Sequence, residues 1–182
     1  MAGEKYVSID MEASGPIPGE YSMLSIGACI VGDAKKRFYV EIKPLNGNYV
    51  KGALKVCGLS MEKLKRDGAS PDAAIKKFAE WVVRATRGGT PVFCCWSTTD
   101  WLFMKWYMVK FGYPRLFGYS ACEMKSYYTG MMNTGFNRVK KKYLPKELMP
   151  VREHTHNALD DALEQAELYE NMFRFNDERG KQ

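Results

Sequence analysis

The first strong pattern along the chain is an alternation of apolar and polar residues at positions 6–12. Because the side chains of a β-strand point alternately to its two faces, this period of two predicts a strand with one apolar face. That face is formed by Val7, Ile9 and Met11. Asp10 and Glu12 project together from the other face, and the Ala-Ser-Gly-Pro sequence that follows ends the strand directly after them.

Four further stretches have the patterns of strands. Residues 22–31 are apolar almost throughout and residues 36–43 alternate, which predicts a buried strand and a half-exposed strand joined in a hairpin. Residues 90–96 form a continuous apolar run, typical of a strand that is covered on both faces. A short strand is predicted at residues 119–122.

Helices are predicted mainly in the second half of the chain. Residues 70–87 begin with Ser-Pro-Asp, a strong helix start, and space their apolar residues three and four apart. Further helices are predicted over residues 97–111, 123–132 and 157–174. Residues 44–59 contain four glycines or prolines and no clean period, so they are predicted to form a loop.

The order of these elements predicts an α/β fold. An antiparallel meander of three strands is followed by βα units, which gives a mixed five-stranded sheet flanked by helices. A chain of 182 residues suits a single domain over residues 1–182, with a frayed polar tail at about residues 176–182. No apolar run approaches the roughly 18 residues that a membrane-spanning helix needs. Residues 1–5 also lack the apolar core of a signal peptide, so we expect a cytoplasmic protein with no membrane partner.

The charge of the chain is concentrated in one segment. The formal net charge is +6. Residues 134–152 carry six basic side chains against one acidic side chain, Glu147, and this distribution favours a polyanionic partner. A solvated surface run is the alternative. The six are Arg138, Lys140, Lys141, Lys142, Lys146 and Arg152.

Asp10 and Glu12 are the first candidates for chemistry. Two carboxylates side by side on one strand repel each other, and a divalent metal ion between them would remove the repulsion. The alternative is a pair of exposed acids on an edge strand. Asp100 follows a buried strand, where open α/β sheets place their sites, but an acid in the first turn of a helix also complements the helix dipole.

The last helix separates two adjacent acids. At about 100° per residue, Asp161 borders the buried stripe in the row of Ala158, Gln165 and Met172. Asp160 falls with Glu164 and Glu167 on the acidic outer face. His156 precedes the helix closely enough to act beside Asp161, although a surface histidine at a helix entry has the same pattern.

Taken together, these residues resemble the DEDDh family of 3′–5′ exonucleases over nearly the whole chain. The first motif corresponds to residues 9–15, with residues 24–28 as its companion on the second strand. Residues 95–100 stand for the second motif and residues 156–162 for the third, whose His-x-Ala-x-x-Asp spacing is the most specific. The family's usual threonine after Asp-x-Glu is replaced by Ala13.

The resemblance implies a ribonuclease-H-like fold and hydrolysis of phosphodiester bonds with two Mg²⁺ or Mn²⁺ ions. Asp10 would bridge both ions, Glu12 and Asp161 would complete one site, Asp100 would reach the other, and His156 would act as the general base. The substrate would be the 3′ end of single-stranded nucleic acid. It would contact residues Ala13, Ser14, Trp101 and Arg152.

The resemblance leaves several alternatives open. Small stand-alone members such as oligoribonuclease and ribonuclease T act on RNA, which favours RNA over DNA. A proofreading or repair DNA exonuclease subunit and a catalytically silent nucleic-acid-binding module of the same fold are the other readings. A homodimer and a monomer are both compatible with the sequence.

Overall fold

A computed structural model describes residues 3–179. Its strands are β1 (Glu4–Ala13), β2 (Met23–Ile30), β3 (Asp33–Glu41), β4 (Thr90–Cys95) and β5 (Cys122–Glu123). Its α-helices are α1 (Lys51–Cys57), α2 (Met61–Asp67), α3 (Pro71–Ala85), α4 (Thr98–Lys110), α5 (Met124–Met132) and α6 (Ala158–Arg179). Three short 3₁₀ turns lie between α5 and α6, at Phe136–Arg138, Lys141–Tyr143 and Lys146–Leu148.

The strands form one mixed sheet in the order β3-β2-β1-β4-β5. β1, β2 and β3 pair antiparallel, whereas β4 pairs parallel with both β1 and β5. The predicted meander followed by parallel βα units is therefore confirmed. Because β1 and β4 run in the same direction, their carboxyl ends meet at one edge of the sheet, where α/β proteins place their sites.

Helices cover both faces of the sheet. On one face, Val7, Ile9 and Met11 of β1 pack in a core with residues of α3 and α4, including Phe78 and Phe103. On the other face, α6 packs against β2 through Cys29, Leu163 and Ala166. β1 is thus buried on both sides, as a central strand must be. Among the described residues, no helix is both long and apolar enough to cross a membrane.

Three predicted boundaries differ from the structure. Part of the predicted loop at residues 44–59 is helical as α1, which buries none of its residues and so gave no amphipathic pattern. β5 contains only Cys122 and Glu123 rather than residues 119–122. α6 continues to Arg179, so most of the predicted tail at residues 176–182 is helical, and residues 180–182 lie outside the described part.

Candidate active site

The end of β1 presents two carboxylates on the face that α6 covers. Ser8, on the same face, donates a hydrogen bond from its hydroxyl to the carbonyl of Ala162 in α6, at 2.8 Å. Asp10 and Glu12 lie further along the strand and are both partly exposed. The strand register shifts between Glu12 and Ala13, so the regular ladder ends directly after the two acids.

A glycine brings α6 against the sheet at Asp10. Gly27 of β2 is the ladder partner of Asp10. A Cβ atom at Gly27 would lie 2.1 Å from the backbone carbonyl of Ala158, so only glycine permits this approach. The first turn of α6 therefore contacts the sheet here, and Asp161 lies beside Asp10 and Glu12. Oxygen atoms of these three carboxylates all lie within 4.8 Å of one another, and the three residues are called the acidic cluster below.

Asp161 is held by the loop that precedes its own helix. The side chain is 1% exposed. Its Oδ1 accepts a hydrogen bond from the backbone N–H of Thr155 at 2.8 Å, and its Oδ2 accepts one from that of His156 at 3.0 Å. The Nδ1 atom of His154 lies 3.1 Å from Oδ1. Asp160, in contrast, is exposed, so the predicted division between the two adjacent acids is confirmed.

Asp100 is buried at the first turn of α4. Its Oδ2 accepts a hydrogen bond from the backbone N–H of Ser97 at 3.3 Å and completes a capping box. The charge of Asp100 also helps to raise the pKa of Asp10. The structure thus shows the capping role of Asp100, whereas its oxygens lie outside the group of three carboxylates within 4.8 Å, and its place in a metal site stays a prediction.

Burial raises the pKa values of Asp10, Glu12 and Asp100, and repulsion between carboxylates adds to this effect at Asp10 and Glu12. Burial and the charges of Asp100, Glu12 and Asp161 raise the pKa of Asp10 well above its usual range. Burial, then repulsion from Asp161 and Asp100, raises the pKa of Glu12 to about 8. Burial raises the pKa of Asp100 to about 7, against the lowering effects of the Ser97 backbone and the Lys125 charge. A bound cation would stabilise the ionised forms of all these groups.

Gln165 also belongs to the site, although no role was predicted for it from the sequence. Its Nε2 donates a hydrogen bond to Asp10 Oδ1 at 2.7 Å, and its Oε1 accepts one from the backbone N–H of Trp96 at 3.1 Å. The side chain thus joins α6, β1 and the end of β4. The available signal was its position four residues after Asp161, in the same helical row.

Both histidines of the chain lie at the edge of the cluster. His156 is exposed and has a left-handed backbone, with φ of 59°. Its ring packs edge-on against the ring of His154, with 4.5 Å between centroids. His154, Asp161 and His156 each offer a ligand atom, and these atoms also lie within 4.8 Å of one another. The prediction that His156 lies beside Asp161 is confirmed, whereas His154 was not among the predicted site residues.

Glu164 was predicted to lie on the solvent-exposed face of the last helix, but it is buried. It is 4% exposed. Its Oε2 accepts from Lys141 Nζ at 2.5 Å and lies 3.1 Å from His154 Nδ1. The segment of residues 134–152 causes this burial, because it packs on α6 through Val139, Leu144 and Leu148. A helical projection cannot show that another segment covers the polar face.

The four residues predicted to contact substrate lie in different surroundings. Ala13 is partly buried at the end of β1. The Ser14 hydroxyl donates to the carbonyl of Asn48 and accepts from the backbone N–H of Ser22, so it joins two loops. Arg152 lines a small pocket with Glu153, Thr155 and Asp160.

Trp101 is partly exposed at the start of a groove along α4. Its ring packs edge-on against Phe93 at 5.0 Å, and Lys105 Nζ lies 5.5 Å from the ring centroid. The groove has a volume of about 800 Å³ and includes a second indole, that of Trp106, together with Lys110. It begins at the first turn of α4, at Thr98 and Thr99, which precede Asp100 in the sequence.

Comparison with known proteins relates nearly the whole chain to 3′–5′ exonucleases. Residues 5–173 match the 3′-5′ exoribonuclease Rv2179c-like domain. The 3′-5′ DNA exonuclease Cap18 of Escherichia coli is 38% identical over 168 residues, which cover 91% of this chain and 90% of that protein.

Solved structures share the fold. The nuclease domain of 3′hExo, a DEDDh family member bound to rAMP, has a TM-score of 0.76 at 14% identity, over 94% of this chain and 92% of that one. Exonuclease I of E. coli in complex with a dT13 oligonucleotide has a TM-score of 0.70 at 12% identity, over 97% of this chain and 42% of that one. The predicted ribonuclease-H-like fold is confirmed.

Proposed function

The chain belongs to the Rv2179c-like 3′–5′ exoribonuclease domain family, and from this premise we propose that it removes 3′-terminal nucleotides by metal-dependent hydrolysis at the acidic cluster. The enzyme class itself, a 3′–5′ exonuclease, follows from the family and from the 38% identical relative. A catalytically silent module is therefore not retained. The proposal concerns the metal ions, the roles of the residues and the substrate.

The observation that carries the proposal is the group of three carboxylates within 4.8 Å, formed by Asp10, Glu12 and Asp161. Hard, oxygen-rich donors in this arrangement fit Mg²⁺ or Mn²⁺. The raised pKa of Asp10 supports the fit, because such an acid gains most from a cation. Asp10, Glu12 and Asp161 would hold one ion, and Asp100 with Asp10 would hold the second. Two bound ions stabilise the charge that develops on the attacking and leaving oxygens.

His156 is proposed to take the proton from the attacking water. An imidazole is suited to proton transfer near neutral pH, and this one is exposed to solvent beside the carboxylate cluster. Its backbone N–H is fixed on Asp161 Oδ2 at 3.0 Å, so the loop positions the ring relative to the cluster. Gln165 positions Asp10 by the hydrogen bond to Oδ1.

The groove along α4 is the proposed path for the bases of the strand. Trp101 and Trp106 offer aromatic faces, and base–aromatic stacking contributes about 1–3 kcal/mol per base. Lys105 and Lys110 add positive charge beside the two indoles. The Ser14 hydroxyl already bonds to Asn48 and Ser22, so we propose that Ala13 and Ser14 would contact a terminal nucleotide through the backbone. Arg152 would act on phosphates further along the strand.

RNA and DNA are the two candidate substrates, and a different observation supports each. The family is described as exoribonucleases, which supports RNA as predicted. The E. coli relative is a DNA exonuclease, which supports DNA as the second candidate.

The deciding experiment uses RNA and DNA oligonucleotides of one sequence, labelled at the 5′ end and digested side by side. We expect a ladder of products shortened from the 3′ end in Mg²⁺, with RNA degraded faster. Loss of activity in EDTA with a retained circular dichroism spectrum would support the metal role. Undiminished hydrolysis in excess EDTA would refute it, and equal or faster degradation of DNA would refute the RNA preference.

A further inference from the structure

His154 and His156 give this site donor atoms of a different kind from those of the acidic cluster. The chain has two histidines, and both converge on Asp161. His154 Nδ1 lies 3.1 Å from Asp161 Oδ1, and all three ligand atoms lie within 4.8 Å of one another. In a tetrahedral zinc site, bonds of about 2.0–2.2 Å place neighbouring ligand atoms roughly 3.3–3.6 Å apart. Small side-chain rotations would therefore produce a zinc site.

The donor set distinguishes between metal ions. Two imidazoles and one carboxylate are ligands that Zn²⁺ accepts readily, with water in the fourth position. Mg²⁺ prefers six oxygen ligands in near-octahedral geometry and does not favour imidazole. The cluster of His154, His156 and Asp161 thus favours Zn²⁺ over Mg²⁺ and Mn²⁺, whereas Asp10 and Glu12 offer oxygen only. Asp161 is common to both groups.

The loop is already arranged for such an ion. The backbone N–H groups of Thr155 and His156 both donate to Asp161, at 2.8 and 3.0 Å. His156 has a left-handed φ of 59°, which turns the chain so that its ring meets that of His154. Because the backbone is held by the carboxylate itself, ion binding would require little rearrangement of the loop.

The charges around His154 also favour a cation. Lys141 Nζ lies 3.3 Å from His154 Nδ1, but it is paired with Glu164 Oε2 at 2.5 Å, so this pair is neutral as a unit. Glu164 Oε2 lies 3.1 Å from the same His154 nitrogen and is available as a further acceptor. The carboxylate of Asp161 then leaves a net negative charge beside His154.

We propose that His154, His156 and Asp161 form an inhibitory zinc site that overlaps the active site. A Zn²⁺ ion bound there occupies the imidazole of His156, which proton transfer requires, and an oxygen of Asp161, which the catalytic ions require. Binding of the ion does not depend on the proposed function, but inhibition does, because it requires the role of His156 in proton transfer. The two parts can therefore fail separately.

The test uses tag-free protein saturated with Mg²⁺ and titrated with Zn²⁺. With only two histidines in the chain, the imidazole nitrogen resonances report directly on occupancy. We expect both imidazoles to shift together at stoichiometric Zn²⁺ and hydrolysis to stop over the same range. In His154→Gln, the Zn²⁺ concentration that halves that variant's own zinc-free rate should rise at least ~10-fold. This is the lower end of the loss of metal affinity caused by removing an outer-shell partner. Asp160→Asn, the matched control on the next residue to Asp161, should respond like the wild type.

Three outcomes would overturn the proposal, each in a different way. No imidazole shift would remove the zinc site and leave the proposed function untouched. Equal inhibition of wild type and His154→Gln would place the zinc effect at the acidic cluster instead. Zn²⁺ bound to both imidazoles without slower hydrolysis would contradict the inhibitory role and, with it, the assignment of His156 as the general base.

Discussion

Asp10 and Asp161 are neighbouring carboxylates that the protein holds in opposite ways. Asp161 accepts two backbone N–H groups and contacts His154, all from the loop before α6. Asp10 accepts a side-chain hydrogen bond from Gln165 and faces other acids, and burial together with those acids raises its pKa. The charge of Asp161 is thus stabilised by hydrogen bonds within the fold, whereas the charge of Asp10 requires a cation.

This difference assigns two tasks to the two halves of the site. The half formed by α6 and the loop before it, called the loop half, is held together without an ion. Asp161 contributes to this by accepting hydrogen bonds from the loop. The half formed by β1, called the strand half, is destabilised when its carboxylates are ionised, so its stability increases most when a metal ion binds. The acids should therefore be equally important for turnover but have opposite effects on the stability of the metal-free protein.

The largest expected effect is the loss of turnover when either acid is neutralised. Asp10→Asn and Asp161→Asn keep the shape of the side chain and remove a ligand charge, so turnover should fall by at least ~10³ in both. In EDTA at mildly alkaline pH, Asp10→Asn should raise the melting temperature, because repulsion is relieved. Asp161→Asn should lower the stability by about 1–3 kcal/mol, because a backbone N–H loses its acceptor. Steady-state kinetics and thermal melts of the metal-free variants measure both effects.

The comparison between the acids would be wrong if both variants shifted the melting temperature in the same direction. Ser8→Ala serves as a control for the face of β1. It removes a buried hydrogen bond to Ala162 without changing charge, so it should lower stability. A rise in melting temperature in that variant too would show that repulsion is not the cause.

The next effect concerns the loop half alone. His156→Ala should reduce turnover by about 10²–10⁴, the range expected when a general base is lost. Binding of Mn²⁺, measured by calorimetry, should remain close to that of the wild type, because in the proposed function His156 is not a ligand of the catalytic ions. A large loss of Mn²⁺ affinity would make His156 a ligand and contradict its role as a base.

The strand half should make the stability of the metal-free protein depend on pH. The raised pKa of Glu12, to about 8, and of Asp100, to about 7, means that the folded chain holds these protons to higher pH than the unfolded chain. Between about pH 4 and 8 the folded state therefore binds more protons, and the free energy of unfolding falls as pH rises. Urea denaturation across this range should show the fall. Excess Mg²⁺ and the Glu12→Gln variant should each reduce it, and a slope that neither changes would refute this origin.

The strand half was largely predictable from sequence, and the loop half was not. The alternation at residues 6–12 identifies β1 and the face of Asp10 and Glu12, because the period of a strand is a local property. Gly27 lies in the motif at residues 24–28. Glycine is required there because the backbone of Ala158 approaches it, and Ala158 lies 131 residues further along the chain. The helical projection separated Asp161 from Asp160 correctly because both positions depend on one helix.

The same projection failed at Glu164 because its environment comes from a distant segment. Lys141 lies 23 residues before Glu164, in a segment of 3₁₀ turns without apolar periodicity. The basic residues of that segment suggested a partner outside the chain, yet one of them is paired with an acid within it. α1 was missed for a related reason, since a helix that buries no residue leaves no pattern.

Glu164→Gln tests the part of the loop half that sequence did not reveal. It keeps the shape but removes the charge that Lys141 and His154 contact, and we expect stability to fall by about 1–3 kcal/mol, because a largely buried ammonium loses its partner. Turnover should fall much less than in Asp161→Asn, because Glu164 is not among the proposed ligands. Lys141→Met with Glu164→Gln should recover part of the stability, measured as a double-mutant cycle. Additive losses would show that the two residues do not interact.

The smallest expected effect is that of Asp160→Asn, one residue before Asp161. Asp160 is exposed and accepts a hydrogen bond from the Thr155 hydroxyl at 3.3 Å, and it lies in the first turn of α6. Removing its charge should cost about 0.3–1 kcal/mol, the value of an acid near a helix N-terminus, with turnover within a few-fold of the wild type. Turnover and urea denaturation of Asp160→Asn and Asp161→Asn, measured together, place the largest and smallest effects on adjacent residues. If Asp160→Asn were the inactive variant, the register of α6 and the His-x-Ala-x-x-Asp match would both be wrong.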